Sequence, residues 1–321
     1  DDNFTLMPYD WAFYSEKYKE EKYNYSEEDL KPYFELERVK KGVFGLATDL
    51  YGIKFVPNKE LPVYHKDVDL FEVYDADDKF MGLLYTDFFP RKGKRQGAWM
   101  TEFKGQYHNA DGTDSRPLIS LVMNFTPPTA GGPALLTYDE VKTFLHEFGH
   151  ALHGLLSEVP YESLSGTNVY RDFVELPSQI MENFASQPEF LNKTAIHYQT
   201  GEVIPTELVE KLKASEQYLA AYSCIRQLSF GYLDMAWHGI KEAFDGSVIE
   251  FERNAWKKTQ LFPSIDGCCM STHFTHLFAG GYAAGYYGYK WAEVLDADAF
   301  SVFQEAGGID KTVAKSFREN I

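Results

Sequence analysis

In the ten residues Phe144-Leu-His-Glu-Phe-Gly-His-Ala-Leu-His153, two histidines stand four apart and a glutamate follows the first. On an α-helix, positions i and i+4 lie one turn apart on the same face, so the imidazoles of His146 and His150 can reach one ion. Glu147 sits about 100° further round the helix, where its carboxylate can touch a water on that ion without taking a coordination position. This pattern suits zinc-assisted hydrolysis. The ion lowers the water pKa to about 7 and polarises a carbonyl, and the carboxylate takes the proton and passes it to the leaving amine. Three ligands along one helix give poor tetrahedral geometry, so His153 is expected to support or pack rather than bind.

A further ligand must come from elsewhere. A metzincin would place a histidine six residues after His150, and that position is Leu156. The acidic candidates downstream are Glu158, Glu162, Asp172, Glu175 and Glu182. Glu158 and Glu162 fall in the loop leaving the first helix. Glu175 falls in the opening turn of a second one, expected over 172–185, which can pack back beside the first. Asp172, three residues before Glu175, suits an N-cap, and the two together could form only a capping box. Gln179 and Glu182 share the Glu175 face and could orient a ligand histidine. Gly149 costs up to about 1 kcal/mol against alanine in a helix interior, and close approach of another chain segment would be a reason to keep it.

The elements around these residues read as α+β with helix predominating. Residues 1–52 carry two or three helices, including one that opens at Ser26 before a run of acids. Residues 53–136 hold short runs rich in β-branched and aromatic residues, Phe71–Tyr74, Met81–Phe88 and Leu118–Phe125, separated by Asp, Gly and Pro. They predict a small mixed sheet, with Gly97-Ala-Trp-Met100 as a possible edge on which a peptide could add as a strand. Residues 137–321 form the helical body. Helices are expected over 137–156, 206–244 (two, or one kinked), 247–259 and 282–296, with a last one beginning at Ala299.

Composition narrows the partners. The 321 residues, 44% of them apolar, can bury a sizeable core. A formal net charge of −17 speaks against nucleic acid, which needs clustered cations, and no run of 18 apolar residues predicts a membrane span. Cys224, Cys268 and Cys269 make an odd set without Cys-x-x-Cys spacing. They are expected to be small buried side chains in a reducing, cytoplasmic compartment. A periplasmic location would require a signal segment outside these residues. The sequence begins Asp1-Asp2-Asn3 and ends in a helix-like stretch, so a piece of a longer protein is expected.

Two blocks carry a family resemblance. His146–His153, continued by Ser165-Gly-Thr-Asn-Val-Tyr-Arg-Asp-Phe-Val-Glu-Leu-Pro-Ser-Gln179 and Met181-Glu-Asn-Phe184, resembles the thimet oligopeptidase, neurolysin and oligopeptidase A family of zinc metallopeptidases. So does His276-Leu-Phe-Ala-Gly-Gly-Tyr-Ala-Ala-Gly-Tyr-Tyr-Gly-Tyr-Lys-Trp-Ala-Glu-Val294. Within that family, Ser165–Asn168 and Tyr289–Phe300 are most similar to the bacterial peptidyl-dipeptidases, which remove dipeptides from peptide C-termini. The resemblance implies a zincin-like catalytic domain and one Zn2+ held by His146, His150 and Glu175, with Glu147 as general base. It also implies Tyr282 and Tyr289 as hydrogen-bond donors to the transition state, with His276 as a further donor. Short peptides are the implied substrates, and the N-terminal half of the same protein would supply the other wall of a substrate channel. An endo-acting oligopeptidase of the same chemistry is the alternative, as is a non-catalytic zinc or peptide-binding module. A terminal carboxylate would need Arg, Lys or backbone N–H donors, and Arg171 is one candidate.

Overall fold

The computed structural model describes residues 4–128 and 131–321. Among them the chain opens with helices α1 (Trp11–Tyr23), α2 (Glu27–Leu30) and α3 (Leu36–Tyr51). Seven strands follow: β1 (Lys54–Pro57), β2 (Val68–Tyr74), β3 (Phe80–Asp87), β4 (Trp99–Lys104), β5 (Tyr107–His108), β6 (Asp114–Ser115) and β7 (Leu118–Val122). Helices then return as α4 (Tyr138–Leu155), α5 (Leu176–Glu182), α6 (Pro188–Thr194), α7 (Thr206–Ser215), α8 (Ala220–Gly239), α9 (Val248–Ala255), α10 (Gly288–Glu305) and α11 (Lys311–Asn320). The class is α+β with helix predominating. No helix among the described residues is long and apolar enough to cross a membrane.

Two compact units divide the chain. The larger comprises residues 27–170, 174–206 and 293–321. Its sheet has the order β1-β2-β3-β7-β4, antiparallel except where β3 runs parallel to β7. Gly97-Ala-Trp-Met100 therefore does lead into an edge strand, β4, which pairs with β7 from Trp99 opposite Val122 onwards. Helix α4 packs on this sheet because its apolar residues fall on one stripe. Phe144 and Phe148 are fully buried, in ring contact with Phe88 and Phe125, and with Phe44 and Phe55, respectively. Each such burial is worth about 1.5–3 kcal/mol. The start of α4 is fixed by a full capping box: Thr137 accepts from the Glu140 N–H, and the Glu140 carboxylate accepts from the Thr137 N–H.

The smaller unit comprises residues up to 26, 171–173 and 207–292. Trp11 of α1 stacks on Tyr222 of α8, and the Tyr25 hydroxyl bonds Ser215. Phe230 of α8 packs against Phe274 and Tyr286. The apolar run over 206–244 resolves into two helices, broken before α8 at Leu219, which takes a left-handed φ of 52°.

Several sequence expectations are corrected. The cysteines are not buried: Cys268 is exposed and Cys224 and Cys269 are half-buried. The helix expected from Tyr282 begins only at Gly288, because Gly280, Gly281 and Ala284 all take positive φ and bend the chain first. It then runs unbroken to Glu305, joining two expected helices into one. The helix expected from Asp172 begins at Leu176, with Pro177 in its first turn, where a missing N–H costs nothing. Asp172 caps nothing; its carboxylate accepts the Tyr287 hydroxyl at 2.8 Å.

Candidate metal centre

With α4 fixed at its start by Thr137, His146 and His150 project from successive turns of one face. The loop 156–175 then returns the chain so that α5 lies against α4. Gly149 makes this approach possible: a β-carbon there would stand 2.5 Å from the Ser178 α-carbon and closer still to the Pro177 carbonyl oxygen. Glu175, immediately before α5, is thereby brought to the histidine pair. Its Oε2 lies 3.2 Å from His146 Nε2 and 3.2 Å from His150 Nε2.

Among the described residues, these three form the one group of histidine, cysteine and acidic side chains arranged to hold a metal ion. The donor set fits zinc. Three N and O donors at about 2.0–2.1 Å from a tetrahedral ion stand about 3.3 Å apart, the spacing seen from Glu175 to each imidazole. Glu158, Glu162 and Asp172 take no part. Glu182 does act on the group, accepting from His146 Nδ1 at 2.7 Å. That bond leaves His146 Nε2 as the lone-pair nitrogen turned towards Glu175. His150 Nδ1 has no hydrogen-bond partner.

Electrostatics follow from burial and these contacts. Burial alone would lower His146, but Glu175 and Glu182 outweigh it and hold the imidazole well above its ordinary value. Burial alone would raise Glu175, and the two histidines hold it well below the ordinary carboxylate range instead. Glu147, 7% exposed, is pushed up by burial, with His146 and His150 offsetting part of the rise. A carboxylate raised in this way is suited to accepting and returning a proton. His153 is lowered to about 4 by burial and by His150. It faces a cavity of about 1000 Å³ lined also by Asp75, Glu158 and Arg318, nearly two turns along α4 from His146.

The smaller unit gathers the remaining candidates. The His276 ring lies 5.2 Å from that of Tyr282, and Tyr282 stacks on Tyr289 at 5.2 Å with planes 17° apart. Tyr282 precedes α10, whereas Tyr289 lies in its first turn, so the two tyrosines do not stand on one helix. Arg171 lies over the Tyr282 ring at 5.2 Å. Tyr286 is the member of this stripe that packs as core, 6% exposed.

Sequence reasoning missed what holds the cluster in place. Asp234, fully buried in α8, accepts the N–H groups of Ala284 and Tyr286 at 2.9 and 3.0 Å and pairs with His238. Glu252 in α9 accepts from the N–H groups of Met270 and Ser271 and from the Ser271 hydroxyl, anchoring the turn ahead of His273 and His276. The signal available was acids in otherwise apolar helical stretches, which must find partners when buried.

Comparison with known proteins places this geometry. The sequence matches the family described as Peptidase family M3 over residues 1–321. It is 43% identical to a dipeptidyl carboxypeptidase of Salmonella typhimurium over 99% of the chain and 47% of the relative. It is likewise 43% identical to oligopeptidase A of Escherichia coli over 98% and 47%. A thimet-like oligopeptidase of Dictyostelium discoideum is 35% identical over 98% and 47%. The chain thus spans about half the length of the curated relatives it matches. An His-Glu-x-x-His helix joined by a carboxylate from the residue just ahead of α5, on a zincin-like and mostly helical frame, agrees with a match along the whole sequence: this chain belongs to the M3 family of metallopeptidases.

Proposed function

We propose that the protein is a zinc peptidase that hydrolyses short peptides and releases dipeptides from their C-termini. The observation that carries this reading is the convergence of the His146, His150 and Glu175 donors beside the buried carboxylate of Glu147. His146, His150 and Glu175 would hold Zn2+. When bound, the ion supplies the Lewis acidity that polarises the scissile carbonyl and makes water nucleophilic near neutral pH. Glu147 takes the proton from the attacking water and returns it to the leaving amine. Glu182 keeps His146 in the orientation and tautomer that ligation requires. Tyr282, Tyr289 and His276 donate hydrogen bonds to the oxyanion of the tetrahedral intermediate; their clustering and the family resemblance support this role.

The release of dipeptides rests on the resemblance of Ser165–Asn168 and Tyr289–Phe300 to the peptidyl-dipeptidases. A second reading, endo-acting cleavage, is favoured by the equal identity to an oligopeptidase A. The test is product mapping by mass spectrometry on the full-length, zinc-loaded protein, with peptides whose C-termini are free or amidated. Sequential loss of dipeptides from free ends is expected. Interior cleavage of blocked peptides would instead establish the oligopeptidase reading. Glu147→Gln should abolish hydrolysis while zinc content stays at one per chain, and hydrolysis that survives it would sink the proposed chemistry.

A further inference from the structure

Residues 91–95 read Arg-Lys-Gly-Lys-Arg, four cations in five positions on a chain of net charge −17. The structure separates their roles. Arg91 grips the buried Asp87 with two bonds of 2.7 and 2.8 Å. Lys94 donates to the same carboxylate at 2.9 Å, to the Phe89 carbonyl and to the Met123 carbonyl. These two cations are consumed in tying the loop to the ends of β3 and β7.

Arg95 is held but not neutralised. The Asn124 amide spends both N–H groups on the loop, donating to the carbonyls of Arg95 and Gly97 at 2.9 and 2.7 Å. The Arg95 guanidinium lies over the Trp99 ring at 5.1 Å. No carboxylate among the described residues forms an ion pair with Arg95 or with its exposed neighbour Lys92. A guanidinium with no carboxylate partner keeps N–H donors for one, which it can grip with two bonds.

The position of this fork follows from the sheet. Trp99 pairs with Val122, just ahead of Phe125, which packs on Phe144 two residues before His146. At the other end of β4, Glu102 lies against Gly154, four residues after His150. The edge strand therefore runs alongside α4 in the same sense, with His146 and His150 between these two levels. A peptide added antiparallel, the commoner pairing, passes the metal level and carries its C-terminal side towards Trp99 and Arg95. Two extended residues cover about 7 Å.

We propose that Arg95, with Lys92 beside it, is a carboxylate-recognition site at the Trp99 end of the edge strand, reading a negative charge on the C-terminal side of the cleaved bond. The charge would be a terminal carboxylate or an acidic side chain within the last two residues. This inference rests on the peptidase reading.

The test uses the full-length protein carrying Glu147→Gln, so that binding is measured without turnover. Four labelled peptides of one parent sequence are titrated in two pairs: a free acid without acidic residues and its amide, and two amides that carry glutamate or glutamine at the last two positions. The expected result is tighter binding of at least one carboxylate-bearing partner, with its preference falling on the order of tenfold or more in Arg95→Ala and partly retained in Arg95→Lys. Loss confined to the free-acid pair identifies the chain terminus as the ligand, and loss confined to the glutamate pair identifies the side chain. Equal weakening for all four peptides, undiminished preferences in the variant, or no preference in the parent would overturn the proposal. Absence of hydrolysis by the protein with Glu147 intact would instead count against the peptidase reading alone.

Discussion

Gly149 of α4 faces Ser178 of α5 so closely that a β-carbon on it would meet the Ser178 α-carbon at 2.5 Å. The distance between the two helices at this level sets where Glu175 meets the histidine pair. Gly149→Ala is therefore expected to push α5 away, lowering stability by about 1–3 kcal/mol and weakening zinc binding at the same time. Gly45 in α3 is the control, since nothing lies within 4 Å of its built β-carbon. Gly45→Ala should raise stability, by up to about 1 kcal/mol. Thermal unfolding and competition with a zinc chelator read both effects; a Gly149 variant with full zinc affinity would refute the link between helix spacing and the ligand set.

Glu182 makes a separable contribution. It touches His146 on the nitrogen that faces away from Glu175, at 2.7 Å, while the corresponding nitrogen of His150 has no partner. The orientation of His146 thus depends on one carboxylate. Glu182→Ala should lower zinc affinity on the order of 10- to 100-fold, with the fold retained. Chelator competition at constant pH measures it, and an unchanged dissociation constant would show that packing alone orients the ring.

The parts of the site carried on one helix were readable from the sequence, because the i, i+4 spacing of His146 and His150 converts directly into geometry. Thr137 and Glu140 likewise fix the helix start locally. Glu175 was one of several acids until the family resemblance singled it out, since a loop of about 20 residues leaves its return path open. The tyrosine block was misplaced on a helix because spacing alone does not reveal that Asp234, some fifty residues earlier, draws the Ala284 and Tyr286 N–H groups into a turn. The edge strand β4 was anticipated from Gly97, whereas the Asp87–Lys94 anchor of its loop was not. Long-range partners of buried charges leave no periodic trace.

Tyr282 and Tyr289 stack face to face within 5.2 Å, so each constrains the other's ring while the hydroxyls remain at the ring tips. If they donate to an oxyanion, Tyr282→Phe or Tyr289→Phe should lower kcat about 10²- to 10³-fold, with zinc content and thermal stability held. A change confined to the melting temperature would make them packing residues. Asp234→Asn should reproduce part of the kcat loss, because it loosens the turn on which Tyr282 sits.

The Glu102 carboxyl is wedged between Gly154 and Gly166, with its Oε1 2.5 Å from where a Gly154 β-carbon would stand and without a hydrogen-bond partner. Burial, reinforced by the nearby Glu162 carboxylate, raises its pKa from 4.5 to about 7. The folded state therefore binds a proton more tightly than the unfolded chain does. The associated stability is fully present below pH 4.5 and is lost as pH rises through 7. Each pH unit in that window carries about 1.4 kcal/mol, so with partial solvent screening a loss of about 2–3 kcal/mol is expected between pH 4.5 and pH 8. Glu102→Gln removes the titration and should leave the variant more stable than its parent at pH 8, with the advantage shrinking towards pH 5. Urea unfolding of both proteins across this range gives the comparison. Parallel stability curves would mean that water reaches the carboxyl and that the wedge does not hold it neutral.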